Sequence, residues 1–294
     1  MKRILAATTI TIASASGAFA QSAPAIEFSG FVQAEGVFDT GSSQFFGFAN
    51  LDVVVPIGNA FGFELTTKVL AFDGGTLNLT YADLYYEFGN HRISAGLTES
   101  AYSQFNRANV LSDFGTFDLE INVFASGSVV DLLQLSSTQY APGIRYDGAF
   151  GDLDVSASFN QDSGGNQVYA AAGEYSFGTI AVSAGVEMVT DGATQKTGYF
   201  VALAGETASG EYWLRYSSSA IATGEVLEAN YMHHFSDRLS AGVGVMSFNG
   251  GATVFTSASA QYTFANNLYV RAGVVNGLGG SGRTLAMAAI GMTF

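Results

Sequence analysis

The sequence predicts an all-β fold: a closed, antiparallel up-and-down β-barrel of about sixteen strands that spans a bilayer. Three observations predict it. Apolar residues recur at every second position along successive segments, which is the period of a strand. The connections alternate between very short turns, an aromatic followed by Gly, Asn or Asp, and looser polar loops, as hairpins do when one end of a barrel carries tight turns. Apolar residues make up 48% of the chain and charged residues only 12%, against about 25% charged in a typical soluble domain. No continuous apolar run reaches the roughly 20 residues of a helical span.

The chain opens on MKRILAATTITIASASGAFAQSA. Lys2 and Arg3 form a basic head, an apolar stretch broken by Ser and Thr follows, and Ala18-Phe19-Ala20 has the small-x-small pattern of an export cleavage site. Residues 1–20 are therefore expected to be a cleaved signal peptide and residues 21–294 one barrel domain. Losing Lys2 and Arg3 takes the formal charge from −14 to −16. With that balance and no basic patch, nucleic acid is excluded as a partner. The absence of Cys excludes a disulfide framework and any thiolate metal site.

The first clear alternation sets Phe28, Gly30, Val32, Ala34 and Gly36 against Ser29, Phe31, Gln33 and Glu35. Ala49, Leu51, Val53 and Val55 then alternate with Asn50 and Asp52, and Phe63, Leu65, Thr67 and Val69 with Glu64, Thr66 and Lys68. Farther along, Leu153, Val155, Ala157 and Phe159 face away from Asp154, Ser156, Ser158 and Asn160. Strands are placed at 26–38, 43–56, 61–72, 75–88, 91–98, 137–148, 152–161, 167–177, 179–190, 197–207, 209–219, 224–236, 238–249, 252–265, 267–277 and 284–294. An even count puts both chain ends on the short-turn side, where PIGNAFG, YEFGNHR, GAFGDL and YSFGTI supply turns and interfacial aromatics.

One connection is out of scale. Residues 98–138 join the fifth and sixth strands, and a segment of about forty residues is too long for an ordinary loop and is usually functional. From Phe117 to Leu135 it is apolar enough that it must pack on something; an extra hairpin or a cover for the barrel mouth would also satisfy that demand. Its acids are Glu99, Asp113, Asp118, Glu120 and Asp131, and Arg107 is its base.

In a bilayer every backbone donor and acceptor must be satisfied internally, so the strands must close on themselves. Sixteen strands enclose water rather than a packed core, and a water-filled hole selects by its width and by the charges that line it. Strand parity turns Glu27, Glu35, Asp52, Glu64, Lys68, Asp83, Glu87, Arg92, Arg145, Asp147, Glu174, Glu187, Glu211, Arg215, Glu228 and Arg271 inward. That is eleven acids and five bases, so the wall is expected to favour cations. Lys68, Arg92 and Arg145 fall on neighbouring strands three, five and six, from which they could face Asp113 or Asp118 across a constriction.

The C-terminal TLAMAAIGMTF also alternates, with Ala286, Ala288, Ile290, Met292 and Phe294 forming one apolar face. A strand that ends on an apolar aromatic is expected to pair on both sides, here with the first strand, rather than remain a sticky edge.

Taken together, the export signal, the acidic Cys-free chain, the sixteen alternating segments, the long connection between strands five and six and the terminal Phe resemble the general porins of Gram-negative outer membranes. The Gly-rich texture and aromatic-Gly turns are most similar to the alphaproteobacterial members. The resemblance covers the whole mature chain but rests on architecture rather than on a signature motif. It implies that residues 98–138 fold into the lumen as a constriction, with Glu99, Arg107, Asp113, Asp118, Glu120 and Asp131 on the loop. Lys68, Arg92, Arg145, Arg271, Asp52, Glu64 and Asp83 are then the wall residues nearest the ion path. It also implies homotrimers in a lipid bilayer with lipopolysaccharide, and Phe294 as part of the signal read by the barrel-assembly machinery.

An enzyme is not expected. His91, His233 and His234 are the histidines of the chain, the last two must point to opposite faces of one strand, and no Gly-x-Ser-x-Gly element or phosphate loop is present. No cofactor is expected, although several carboxylates on the long segment could bind a hard divalent cation. The alternative reading is a non-channel or substrate-specific barrel, such as an adhesin or a dedicated transporter. An autotransporter passenger or a separate plug domain does not fit in this length.

Overall fold

The computed structural model describes residues 26–39, 42–106, 127–135, 140–220, 224–278 and 284–294. The strands are β1 (Glu27–Asp39), β2 (Ser42–Ile57), β3 (Phe61–Phe72), β4 (Gly75–Phe88), β5 (His91–Leu97), β6 (Gly143–Phe150), β7 (Leu153–Gln161) and β8 (Gln167–Phe177). They continue as β9 (Ile180–Thr190), β10 (Gln195–Thr207), β11 (Gly210–Ser218), β12 (Glu225–Ser236), β13 (Leu239–Phe248), β14 (Thr253–Thr263), β15 (Leu268–Leu278) and β16 (Thr284–Thr293). Each pairs antiparallel with its sequence neighbours, and β1 pairs with β16 to close the barrel. The predicted count of sixteen and the alternation of tight and loose connections are both present.

Closure runs to the last residue. The Gly30 amide donates to the Phe294 carbonyl at 3.1 Å, and the Phe294 amide donates to the Gly30 carbonyl at 3.0 Å. Gly30 has φ of 153°, and a Cβ there would lie 2.1 Å from the Asn50 carbonyl oxygen on β2. Only glycine lets the three chains approach this closely at the seam. At the tight turns, Gly58, Gly89, Gly151 and Gly178 adopt φ between 62° and 75°, the left-handed conformation that the aromatic-Gly turns were expected to require.

The faces divide as the alternation predicts. Phe28, Leu84, Ile144, Phe177, Phe235 and Val243 are exposed on the outer wall, whereas Asp83, Glu187, Arg215 and Glu228 are buried on the inner one. Aromatic rings collect at both ends of the outer wall. Around the short turns, Phe61 meets Tyr86 with ring centroids 4.6 Å apart, His91 lies between Phe88 and Tyr146 at 5.4 and 5.9 Å, and Tyr175 meets Phe177 at 4.4 Å. Toward the other rim, Phe38 pairs with Phe45 at 6.1 Å and Phe159 with Tyr169 at 5.0 Å. Two such belts are where amphipathic rings settle at the two interfaces of a bilayer. Among the described residues, no helix is long and apolar enough to cross a membrane.

The sixth strand begins later than the alternation indicated, at Gly143 rather than 137. Pro142 has no N–H to give to a ladder. The Asn160 side chain instead donates to the Ala141 carbonyl at 3.1 Å and to the Thr98 hydroxyl at 3.1 Å, holding the approach to β6 outside the sheet. Between β5 and β6 lie two short helices, α1 (Ala101–Phe105) and α2 (Val129–Leu135). An extra hairpin is not what residues 129–135 form.

Candidate pore lining and loop attachment

The apolar residues of the 98–138 segment that are described do pack, and they pack on the inward-facing side chains. Val129 and Val130 of α2 are buried with Leu79 and Tyr81 of β4 and with Val168 and Ala220, while Leu132 and Leu135 lie against Phe48 and Leu70 of β2 and β3. On α1, Ala101 and Tyr102 are buried against Ala170, Ala172 and Phe200, with the Tyr102 ring edge-on to Phe200 at 5.0 Å. The wall of β8 and β9 is built from small residues here, and a Cβ at Gly185 would come within 2.4 Å of the Phe200 ring. The missing side chain makes room for the Phe200 ring, on which Tyr102 of α1 then packs.

Polar groups fix the position of these helices. Ser100 caps α1 by accepting from the Tyr102 amide at 3.1 Å, and its own hydroxyl donates to Glu187 at 3.1 Å. Ser128 does the same for α2: it accepts from the Val130 amide at 3.0 Å and donates to the same Glu187 carboxylate. The Val129 amide adds a bond to Glu187 Oε1 at 2.8 Å. Asp131 accepts from Tyr81 of β4 at 2.5 Å and from Ser103 of α1 at 2.7 Å, tying the two helices to each other and to the wall. Arg215 of β11 pairs with Glu228 of β12 at 2.7 Å and donates to the Asn106 side chain at 3.2 Å, where α1 ends.

The site residues expected from the sequence fall into three groups. Arg145 meets an acid of the long segment, Glu99, and Lys68 acts electrostatically on another, Asp131. Arg145 pairs with Asp147 at 2.9 Å, its Nη1 lies 3.8 Å from the Glu99 carboxylate, and it donates to the Glu99 carbonyl at 3.4 Å. Lys68 is near enough to Asp131 for its charge to lower that acid's pKa. The second group is satisfied within the wall: Arg92 pairs with Glu64, lies 3.6 Å from Asp83 and covers the Tyr85 ring at 3.9 Å. Asp52 accepts from Thr66 at 2.7 Å and from Asn50 at 2.8 Å, and Arg271 donates to Gln261 at 3.0 Å and to Gln33 at 3.3 Å. The third group, Arg107, Asp113, Asp118 and Glu120, lies outside the described residues, so the pairing of wall bases with Asp113 or Asp118 does too.

Burial raises the Asp131 carboxyl above the usual carboxylate range; the Tyr81 and Ser103 hydroxyls and the Lys68 charge act in the opposite direction. Among the described residues, no group of three or more His, Asp or Glu is disposed to hold a metal ion. Sequence reasoning turned Glu187, Arg215 and Glu228 inward but missed them as attachment points. The signal available was parity, which says which side of the wall a group faces and nothing about what it meets there.

A closed sixteen-strand barrel with an apolar, ring-belted outside, a charged inside and helices of its longest connection packed on that inner wall has the porin fold. No family model matches the sequence, and no curated protein matches it. Solved structures match in shape. A triple mutant of Rhodopseudomonas blastica porin aligns with a TM-score of 0.68 at 14% identity, covering 92% of this chain and 100% of that one. A second triple mutant of the same porin aligns with a TM-score of 0.67 at 16% identity over the same shares of the two chains. At that identity the likeness is one of fold.

Proposed function

We propose that this protein is an outer-membrane porin: a water-filled channel for passive diffusion of small hydrophilic solutes and ions, preferring cations. The observation that carries the reading is the division of one closed wall into an apolar, aromatic-belted outside and an inside bearing Asp52, Glu64, Asp83, Arg92, Asp147 and Arg271. A basic side chain turned to lipid near mid-membrane would cost about 2–4 kcal/mol, and a sixteen-strand barrel encloses an interior that water rather than side chains fills. Cation preference is supported by the charge count, since the wall bases Arg92, Arg145 and Arg215 are each paired with at least one acid.

The same reading places the chain in the Gram-negative outer membrane beside lipopolysaccharide, after loss of residues 1–20 and delivery by the barrel-assembly machinery through Phe294. It also includes homotrimers, because the small residues Gly30 and Ala34 lower the outer wall of β1, while Gly36 lies beneath the Phe38 and Phe45 rings. A particle holding a single chain in mild detergent, its protein mass below the 30.7 kDa of the full sequence, would remove the trimer. Divalent cations at carboxylates of the 98–138 segment remain part of the proposal, with a calcium-dependent change of conductance as their sign.

The deciding experiment is a reversal potential across a salt gradient in a planar bilayer. A cation-selective potential that grows as the salt is diluted is expected, because screening falls off as the Debye length increases from about 8 Å at physiological salt. A barrel that assembles and gives no current would refute the channel. An anion-selective potential would refute the charge assignment.

A further inference from the structure

We propose that Glu187 is the positioning residue that fastens the starts of both α1 and α2 to the barrel wall, and that this clasp holds the two helices still on the inner wall. Glu187 projects inward from β9 and is 1% exposed. Its carboxylate receives three donors: the hydroxyls of Ser100 and Ser128 and the Val129 amide. Each serine does two jobs at once, accepting from the first turn of its own helix and donating to Glu187. The two helix starts therefore converge on one buried acid, although their capping serines lie 87 and 59 residues from it in sequence.

Chemistry singles out a carboxylate for this place. Two hydroxyl donors and one amide donor need an acceptor-only group with several lone pairs, which an ionised Glu supplies and Gln, with one acceptor oxygen and an NH2, does not. The donors in turn are what make it tolerable to bury the acid. Asp131 supplements the clasp by joining Ser103 of α1 to Tyr81 of β4 from within α2, and Arg215 holds the far end of α1 at Asn106. Neither of these reaches both helix starts from the wall. Glu187 does.

The effect on current rests on the channel reading above, so the test includes a measurement that needs no current. Two variants are compared with wild type: E187Q, and the double substitution S100A/S128A, which leaves the acid in place and removes two of its donors. Both are expected to assemble as heat-modifiable barrels and to be cut by protease near Phe105 faster than wild type: about tenfold for E187Q, the factor set by losing one hydrogen bond to a charged group, and more than tenfold for S100A/S128A, which loses two such bonds and two helix caps. In planar bilayers both should show noisier open-state current at similar mean conductance. Combining the three substitutions should fall short of the sum of E187Q and the serine pair, because the bonds to Glu187 can be lost only once and what remains is the loss of the two helix caps. Wild-type proteolysis rates in both variants would overturn the proposal, as would full additivity. If E187Q fails to assemble, the serine pair decides by the same readings. If wild type itself carries no current, the channel reading falls while proteolysis still decides the attachment.

Discussion

Replacing Arg215 by Ala tests how the inner wall tolerates buried charge. Arg215 and Glu228 are 3% and 2% exposed, with Nη2 and Oε2 2.7 Å apart. At an effective dielectric of about 20, unit charges about 3 Å apart attract by about 5.5 kcal/mol, most of which offsets the loss of water around both ions. Removing one partner leaves the other charge buried, and such truncations cost about 3–5 kcal/mol. Glu228 would keep its bond from the Asn230 side chain at 2.8 Å, which puts the expected loss near the lower end, about 3 kcal/mol. The double variant R215M/E228L removes both charges and should recover to within about 1 kcal/mol of wild type. Urea unfolding of the detergent-refolded barrel, followed by gel mobility and tryptophan fluorescence, reads both numbers; Trp213 lies on β11 two residues from Arg215. R215A within about 0.5 kcal/mol of wild type, or a double variant no better than R215A, would refute the argument that the pair is held together by the cost of leaving either charge alone.

Two further outcomes follow from the seam and from the buried acid of α2. Deleting Phe294 removes the reciprocal bonds to Gly30 and should reduce heat-modifiable barrel in outer-membrane fractions several-fold; unchanged yield would show that the seam and the proposed assembly signal do not need it. For Asp131 the folded pKa lies above the unfolded one, so the folded state binds the extra proton. Its contribution to stability is greatest below the unfolded pKa and declines as pH rises from the usual carboxylate range toward the raised value. The D131N variant should flatten that decline in urea midpoints measured between pH 4 and 8, an interval taken as roughly bracketing the carboxylate range. A wild-type profile that rises across this interval relative to D131N would reverse the assignment.

The number of strands, their faces and most of their ends were legible in the sequence because each is a local property. Period-two alternation fixes which side of the wall a residue faces. Tight turns such as Gly58-Asn59 and Gly89-Asn90 fix the register of each hairpin without reference to the rest of the chain. The pairing of Phe294 with β1 was legible for a related reason: a closed barrel leaves the last strand no other edge to join.

What the long segment touches was decided by the tertiary structure alone. Parity turned Glu187 inward but could not bring it to Ser100 and Ser128, and the acidic positions of the segment did not reveal that Glu99 would meet Arg145 or that Lys68 would sense Asp131. Those contacts exist only after sixteen strands have closed and placed β3, β6 and β9 around one lumen. Hairpin register propagates between sequence neighbours, whereas α1 and α2, packed on the inner wall, meet strands far away in the chain, at positions set by the curvature and closure of the whole wall.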